Sequence, residues 1–370
     1  MKVRFEELTA PQRAGGIESA MKGLVLALAG QGVEVSRSAL VPDFPRSNLP
    51  DCVHFQGIWS PALVMRFLAW RRLGVPCLVS PHGMLEPWAL GHKRLKKLVA
   101  WRFYQKRMLN LACALHATSP REAANLRKLG LRPRIEMIPW GIDVDGTASI
   151  VYRPEEKKGD KRSCYSGSLV RQRNRNNVAV THRTALFVGR IYPVKGLPML
   201  IEAWEKLRPE GWKMKIVGPD EAGHWAELER LILEAGLVGK FEFSGHLTGA
   251  ALDQAYNDAD LYIQPSHTEN FGMAIAEAMA HGLPVITTQG APWKLLEEEG
   301  CGWWTPISTD GIAAALDDAT QRSPDKLAGM GQRARAIVGE RFAWEAIARQ
   351  FVDCYEWLCS EGPKPARVAL

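Results

Sequence analysis

The sequence predicts an α/β protein with two doubly wound, Rossmann-like domains. From residue 17 to about 140 helical segments alternate with strand-like ones, and the same alternation starts again at residue 184. This order is typical of parallel sheets whose strands are joined by crossover helices. Between the two stretches, residues 144–183 contain Gly, Ser, Asn and basic residues without periodicity, which indicates a linker or long loop. A chain of 370 residues, 46% of them hydrophobic, is long enough for two cores.

The first domain, residues 1–143, is predicted to contain strands at 33–37, 52–55, 76–80, 112–118 and 134–138. Helices are predicted to begin near Gly16, Pro61, Gly91 and Ser119. The last start reads Ser119-Pro120-x-Glu122, which suits a helix N-terminus because Ser caps it and Pro fits its first turn. The opening segment MKVRFEELTA lacks the clear apolar run expected of a first strand.

The second domain, residues 184–342, is predicted to contain strands at 184–189, 213–218, 240–245, 260–266 and 283–288. Helices are predicted after about residue 309. Residues 343–370 form the last predicted unit, a helix from Trp344 to about Cys359 followed by a tail, and we expect this helix to pack back toward the first domain.

Charge and hydropathy limit the classes of function. The longest apolar run, Leu24–Ala29, is far shorter than the roughly 18 to 20 residues that cross a bilayer, and the N-terminus has no signal pattern, so we expect a cytoplasmic protein. The net charge of +7 lies mainly in residues 151–183, which contain nine Lys and Arg against three Asp and Glu. A basic nucleic-acid-binding protein is one alternative, but no known nucleic-acid module is present and no nucleic acid is expected.

The segment HTENFGMAIAEAMAHGLPVI contains Glu269 and Glu277, with seven residues between them. Glu269 follows a predicted strand, and Glu277 lies in a helix predicted to start near Phe271. Doubly wound sheets bind ligands beyond the carboxyl ends of their strands, and the backbone amides at a helix start favour a phosphate. Two carboxylates beside a phosphate are suited to neutral hydroxyls, such as those of a nucleotide sugar. The amides of this helix start belong to Asn270, Phe271, Gly272 and Met273.

A second motif, FVGRIYPVKG at 187–196, places one Arg and one Lys after a predicted strand. Arg190 and Lys195 are expected to project from that strand toward the same cleft. Two cations there can neutralise a diphosphate leaving group as negative charge builds on it. The alternative is an exposed loop with ordinary charges.

These two motifs resemble glycosyltransferase family 4, whose members carry a Glu-x7-Glu element and a corresponding Arg and Lys. The resemblance covers about residues 15–143 and 184–358. It implies the GT-B fold, in which two Rossmann-like domains face each other across a cleft. It also implies that Glu277 holds the ribose hydroxyls and that Glu269 holds the transferred sugar.

The resemblance extends to the first domain and to one further loop. Gly15 and Gly16 correspond to a glycine loop near the diphosphate, although a helix start alone would also explain them. His82, in SPHGMLEPW, corresponds to a family histidine that faces the reacting sugar; a structural histidine is the alternative. The loop GAPWKLLEEEGCGWW at 290–304 resembles a bacterial polysaccharide branch of the family, although its tryptophans are equally compatible with a core role.

The activity implied is that of a retaining hexosyltransferase in polysaccharide biosynthesis. Its donor is a nucleoside-diphosphate sugar, UDP- or GDP-linked, and its acceptor a glycan or lipid-linked sugar. Retention implies a front-side displacement in which the leaving phosphate takes the proton of the acceptor. No Asp-x-Asp motif stands in a plausible loop, so no metal or other cofactor is expected to be required. A phosphorylase or an epimerase of the same fold remains an alternative.

Residues 92–107 contain seven Lys and Arg and no acidic residue. On a helix, Lys93, Lys96, Lys97 and Arg107 are expected to gather on one face. Leu95, Leu98 and Val99 are expected on the opposite face, packed on the sheet. The basic face would then rest on an anionic membrane surface, or simply be a solvated surface.

Overall fold

The computed structural model describes residues 1–7, 16–37, 49–144, 182–220, 223–360 and 362. Within these residues the chain forms two sheets of six strands, and every pair of neighbouring strands is parallel. Gly15 and most of the predicted linker at 144–183 lie outside the described residues.

The first sheet has the strand order β2-β1-β3-β4-β5-β6. Its strands are β1 Lys2–Glu7, β2 Glu34–Arg37, β3 Cys52–Gln56, β4 Cys77–Ser80, β5 Ala114–Ala117 and β6 Arg134–Met137. Strand β1 lies inside the sheet despite its charged residues, because Val3 and Phe5 are fully buried and the buried Glu6 accepts hydrogen bonds from Arg66 Nη1 (2.8 Å) and Trp70 Nε1 (3.0 Å).

The helices of the first domain start close to where the sequence predicts them. They are α1 Gly16–Gly30, α2 Pro61–Arg72, α3 Pro87–Gly91, α4 Arg94–Ala100, α5 Lys106–Leu111 and α6 Pro120–Lys128, with a π-helical turn at Trp101–Gln105 between α4 and α5. Ser119 caps α6 through its Oγ, which accepts from the Glu122 amide at 3.2 Å.

The predicted orientation of the basic helix is wrong. Leu95, Leu98 and Val99 do not pack on the sheet but are 79%, 60% and 56% exposed. The inward side is formed instead by larger side chains: Trp101 lies against Trp59 with ring centroids 6.3 Å apart, and Lys97 is held there by the Trp59 ring at 5.6 Å and by a carbonyl. The inward side of this segment is thus taken by Trp101 and Lys97, while the aliphatic residues and Phe103, which is 76% exposed, face outward.

The second sheet has the strand order β12-β11-β10-β7-β8-β9. Its strands are β7 Arg183–Val188, β8 Trp212–Val217, β9 Phe241–Phe243, β10 Leu261–Gln264, β11 Val285–Thr288 and β12 Gly302–Thr305. This is the order of a dinucleotide-binding sheet, in which β7 and β10 are neighbours but their successors lie on opposite sides. The space beyond β7 and β10 is therefore the expected ligand crevice.

The helices of the second domain are α7 Leu197–Leu207, α8 His224–Glu234, α9 Ala250–Asp258, α10 Met273–Ala280, α11 Leu295–Glu298, α12 Thr309–Gln321 and α13 Pro324–Arg341, followed by α14 Trp344–Ser360. Helix α14 packs on α1 and β3 of the first domain. At its start the Trp344 ring fits between Gly23 and Gly141, where a Cβ atom would stand only 2.3 Å from the indole. One buried apolar cluster therefore runs from the first sheet through α14 to α10.

Candidate functional site

Polar side chains converge beyond the carboxyl ends of β7 and β10. Lys195 ends a short 3₁₀ turn, Pro193–Lys195, that follows β7, and Glu269 lies in the loop after β10. The Lys195 Nζ atom is 2.6 Å from Glu269 Oε1, and both side chains are largely buried. The structure thus brings together one residue from each of the two predicted motifs.

Glu269 is held through one of its two carboxylate oxygens. Oε1 accepts hydrogen bonds from Lys195 Nζ, from Ser266 Oγ at 2.6 Å and from Gln264 Nε2 at 2.9 Å. Gln264 is itself oriented by the Tyr262 hydroxyl, which donates to Gln264 Oε1 at 2.5 Å. No described residue donates a hydrogen bond to Glu269 Oε2, so this oxygen can accept from a ligand.

The charge state of Glu269 follows from these contacts. Burial raises the pKa of its carboxyl, but the Lys195 charge and the hydrogen bonds from Lys195, Ser266 and Gln264 outweigh burial and leave the pKa below its ordinary value. Glu269 is therefore an anion near neutral pH, with one oxygen available.

Glu277 has a different environment, one turn into α10. Its Oε2 accepts from the Tyr256 hydroxyl at 2.8 Å, and the Tyr256 ring stacks on His281 with centroids 4.7 Å apart. Burial raises the pKa of Glu277, against the hydrogen bond from Tyr256 and the nearby His281, which lower it. The two glutamates therefore differ in charge stability as well as in position.

The start of α10 lies between the two glutamates. The helix begins at Met273 rather than near Phe271, because Gly272 adopts a left-handed backbone with φ of 88°. No side chain caps the helix. Its first amides, together with Lys195 nearby, make this end favourable for a negatively charged group.

Arg190 stands at the carboxyl end of β7 and is exposed. The loop is tight because Gly189 and Gly218 nearly touch: a Cβ on Gly218 would lie 1.8 Å from the Gly189 carbonyl oxygen. Arg190 is thus on the same sheet edge as Lys195.

His82 lies in the first domain, in the loop after β4. It is buried, has a left-handed φ of 54°, and its Nε2 is 2.7 Å from Gln56 Oε1. Its ring stacks on Trp140 at 5.5 Å with an interplanar angle of 23°. The next residue, Gly83, is so close to Asn270 that a Cβ there would meet the Asn270 Cβ at 3.0 Å. The His82 loop therefore touches the Glu269 loop.

The tryptophans of the 290–304 segment, Trp293 in the loop after β11 and Trp303 and Trp304 in β12, have structural surroundings. Trp293 is buried and donates from Nε1 to the Phe271 carbonyl at 2.5 Å, so it supports the turn before α10. Trp304 Nε1 donates to the Ala291 carbonyl and Trp303 Nε1 to Asp318 Oδ2, each at 2.8 Å.

Of the two glycines of the predicted glycine loop, Gly16 is the first residue of α1, and Gly15 lies outside the described residues. Among the described residues, no group of three or more His, Cys, Asp or Glu side chains is arranged to hold a metal ion. In the same part of the chain, no helix is long and apolar enough to span a membrane.

Comparison with known proteins adds two family models that match this chain. A model described as glycosyl transferases group 1 matches residues 170–337, and one described as a glycosyl transferase 4-like domain matches residues 37–141. The first match covers most of the second domain and the end of the predicted linker, and the second match lies within the first domain.

Individual relatives agree with the family models. The chain is 33% identical over 180 residues to an uncharacterized glycosyltransferase of Methanocaldococcus jannaschii, which covers 46% of this chain and 44% of that protein. It is 30% identical over 273 residues to the putative colanic acid biosynthesis glycosyltransferase WcaL of Salmonella typhimurium, which covers 62% of this chain and 66% of WcaL. The chain thus spans less than two thirds of the length of these two relatives.

The fold matches solved structures over nearly its whole length. Anabaena HepE, solved in complex with UDP and glucose, aligns with a TM-score of 0.70 and 21% identity over 96% of this chain and 99% of HepE. This likeness, with the two parallel six-stranded sheets of the described residues, confirms the predicted GT-B fold.

Proposed function

Since this chain belongs to the glycosyltransferases of the family 4 type, we propose that it moves a hexose from a nucleoside-diphosphate sugar to a glycan or lipid-linked sugar, with retention of configuration. The observation that carries the proposal is the Lys195–Glu269 pair at the start of α10. It combines a cation for a phosphate with an anion whose Oε2 is available to a sugar hydroxyl. The relative named for colanic acid biosynthesis supports a role in polysaccharide synthesis.

The donor would lie along the edge of the second sheet. Arg190, Lys195 and the backbone amides of residues 270–273, which lead into α10, would bind the diphosphate. Glu277 would accept hydrogen bonds from the ribose, and Glu269 Oε2 from the transferred hexose. A UDP-bound neighbour of the same fold supports a UDP-sugar, with a GDP-sugar as the second candidate. Fixed cations neutralise the leaving group in this arrangement, so we propose no required metal.

Transfer would then proceed on one face of the sugar. The bond from the anomeric carbon to the β-phosphate oxygen breaks as the acceptor oxygen bonds to the same carbon, and the departing phosphate oxygen takes the acceptor's proton.

His82 would contact the donor sugar near the anomeric carbon. His82→Ala is expected to fold normally and lose transfer; a large fall in melting temperature would indicate a structural role instead.

The test is a donor screen followed by product analysis. We expect one class among UDP-, GDP- and ADP-sugars to raise the melting temperature, because a ligand that binds only the native state stabilises it. With that donor and an oligosaccharide acceptor, proton NMR should show a new glycosidic bond with the anomeric configuration of the donor. Sugar 1-phosphate formed with added phosphate would identify a phosphorylase, and an altered free donor an epimerase; either result would refute the proposal.

We also propose that the protein acts at an anionic membrane surface, at the cytoplasmic face. The segment from α4 to α5 presents an apolar stripe in which Leu95, Leu98, Val99 and Phe103 are 79%, 60%, 56% and 76% exposed. Six exposed basic residues surround this stripe: Lys93, Arg94, Lys96, Arg102, Lys106 and Arg107. A helix with outward apolar residues among cations is suited to the boundary of an anionic bilayer, where each cation contributes about 1 kcal/mol.

Vesicle binding tests this surface. The protein should co-sediment with anionic vesicles at low salt, and Leu98→Ser with Phe103→Ser should weaken binding at least tenfold. Leu233→Ser is the control, because Leu233 is 66% exposed on α8 of the second domain. Binding that is absent at low salt, or equal for both variants, would show that this face is only solvated.

A further inference from the structure

One arginine of the first domain reaches into the loops of the second. Arg121 is the second residue of α6, and its guanidinium donates from Nη1 to the Gly290 carbonyl at 2.5 Å. Nη2 donates to the Glu269 carbonyl at 2.8 Å and also to the Thr268 hydroxyl. All three acceptors belong to the second domain.

The acceptors of Arg121 are the groups that fix the Glu269 loop. The Glu269 amide donates to the Gly290 carbonyl at 2.8 Å, so Arg121 binds both carbonyls beside this backbone contact. Gly290 lies tightly against the loop, since a Cβ there would be 2.5 Å from the carbonyl oxygens of Ser266 and His267. Asn270, the residue after Glu269, donates from Nδ2 to Thr118 Oγ1 at 2.7 Å, which is a further hydrogen bond between the domains.

The first domain aims the guanidinium from the other side. Arg121 Nε is 3.6 Å from Glu86 Oε2, in the loop that carries His82. Glu86 is buried and is held by Asn125 Nδ2 of α6 at 2.8 Å. A guanidinium has a rigid fork of donors, so one side chain can join the His82 loop to the Glu269 loop at fixed geometry.

We propose that Arg121 is a positioning residue that places Glu269 for transfer only when the two domains are closed. The inference rests on the proposed function, because it assigns Glu269 to the donor sugar. In an open cleft Arg121 would lose its three acceptors, and the Glu269 loop would keep only contacts within its own domain. Closure and the placement of Glu269 are thereby coupled through one side chain.

Arg121→Ala should lower kcat by about a hundredfold, the effect typical of an ångström-scale misplacement in an active site. The affinity for UDP should change less than twofold, because the polar partners of Arg121 in the second domain are Thr268, Glu269 and Gly290, and neither Glu277 nor α10 is among them. Arg121→Lys should lie between wild type and Ala, since one ammonium cannot reach all three acceptors. Arg127→Ala is the matched control: Arg127 is on the same helix, but its Nη1 donates to the Leu131 and Pro133 carbonyls of its own domain.

Small-angle scattering of the unliganded variants supplies a readout that needs no activity. Arg121→Ala should have a larger radius of gyration than wild type and Arg127→Ala, because the bridge is lost. A kcat within twofold of the Arg127→Ala value, an equal loss of UDP affinity and kcat, or an unchanged radius of gyration would each overturn the proposal. If wild type transfers no sugar, the proposed function fails while the scattering result still decides whether Arg121 holds the domains closed.

Discussion

At the scale of single residues, the site is organised by an asymmetry within Glu269. Three groups donate hydrogen bonds to Glu269 Oε1, and none of the described residues donates to Oε2. The donors fix the side chain and keep it ionised, so Oε2 would accept a ligand at little cost in ordering. Lys195 would serve two groups at once under the proposed function, since the ammonium that contacts Glu269 is also the one expected to face the diphosphate.

Lys195→Ala and Arg190→Ala should each lower kcat by about a hundredfold or more, by analogy with the loss of a preorganised charge donor. Lys195→Ala should be the more severe, because it also removes the 2.6 Å contact with Glu269. Steady-state kinetics of both variants, with Lys213→Ala on β8 as an exposed control, test this. Kinetics like those of the control in both variants would contradict the assignment.

The two glutamates should separate nucleotide binding from transfer. Glu277→Gln should weaken UDP binding about tenfold while raising the melting temperature, because burial raises the Glu277 pKa and an ionised carboxylate there costs stability. The stability gained by Glu277→Gln should be absent at pH values below the ordinary Glu pKa. It should grow as the pH rises from there through the higher pKa of Glu277 in the folded state, because the wild-type carboxyl then ionises while buried. Glu269→Gln should leave UDP binding nearly unchanged and impair transfer. Calorimetry and melting curves from pH 4 to 8 measure both effects; equal losses of UDP affinity would contradict the division.

Some residues of the site could be predicted from sequence and others could not. Glu269, Glu277, Arg190 and Lys195 stand in local motifs, so strand ends and a helix start predict that they lie near one edge of the second sheet. The structure shows the contact between Lys195 and Glu269, and the roles of all four residues stay predictions. Arg121 has no such signal, because its acceptor Thr268 is 147 residues away and belongs to the other domain. Its role depends on how the two domains meet, which no local pattern encodes.

At the scale of elements, the sequence predicts the strands that are buried on both faces, such as β3, β4, β10 and β11, and also the more exposed strands β2, β6 and β9. All ten predicted strands are present, each within two residues at either end. Two further strands were missed for physical reasons. Strand β1 carries Glu6 into the core with paired donors, and β12 consists of GWWT, whose tryptophans donate hydrogen bonds to neighbouring elements. The predicted orientation of the basic segment 92–107 is wrong because helical periodicity shows which residues share a face but not which face packs against the rest of the protein.

The turn between β7 and α7 depends on Gly196. It has a φ of 67°, and a Cβ would lie 2.1 Å from the Pro265 carbonyl oxygen after β10. Gly196→Ala should therefore lower the free energy of unfolding by about 2 kcal/mol or more and move Lys195 away from Glu269. Urea unfolding and kcat measure the two effects. Gly30→Ala is the control, since beyond the neighbouring residues and backbone of its own helix no atom lies within 4 Å of a Cβ there; equal stability of the two variants would be contrary to expectation.

At the scale of the whole molecule, a buried polar network ties α14 to the first sheet. His54 Nδ1 is 2.8 Å from the Tyr355 hydroxyl and its Nε2 is 2.6 Å from Ser80 Oγ. Ser80 Oγ is in turn 2.7 Å from His116 Nδ1. Three strands, β3, β4 and β5, thus share one chain of hydrogen bonds with α14. Because α14 and α10 of the second domain belong to one buried apolar cluster, the network contributes to the stability of the whole fold.

This network should make stability depend on pH. Burial lowers the pKa of His116 to about 4, partly offset by its bond to the Ile138 carbonyl, and burial also lowers that of His54. In the unfolded chain both histidines bind protons near pH 6.5, so the unfolded state is favoured as pH falls from there toward the folded-state pKa. For His116 the loss of unfolding free energy should reach about 3 kcal/mol by pH 4. The free energy of unfolding, measured in urea between pH 7.5 and 4.5, should depend less steeply on pH for His116→Gln than for wild type. His92→Gln, at an exposed position, should match wild type. An equal pH dependence for His116→Gln and wild type would mean that His116 does not govern the acid sensitivity of the fold.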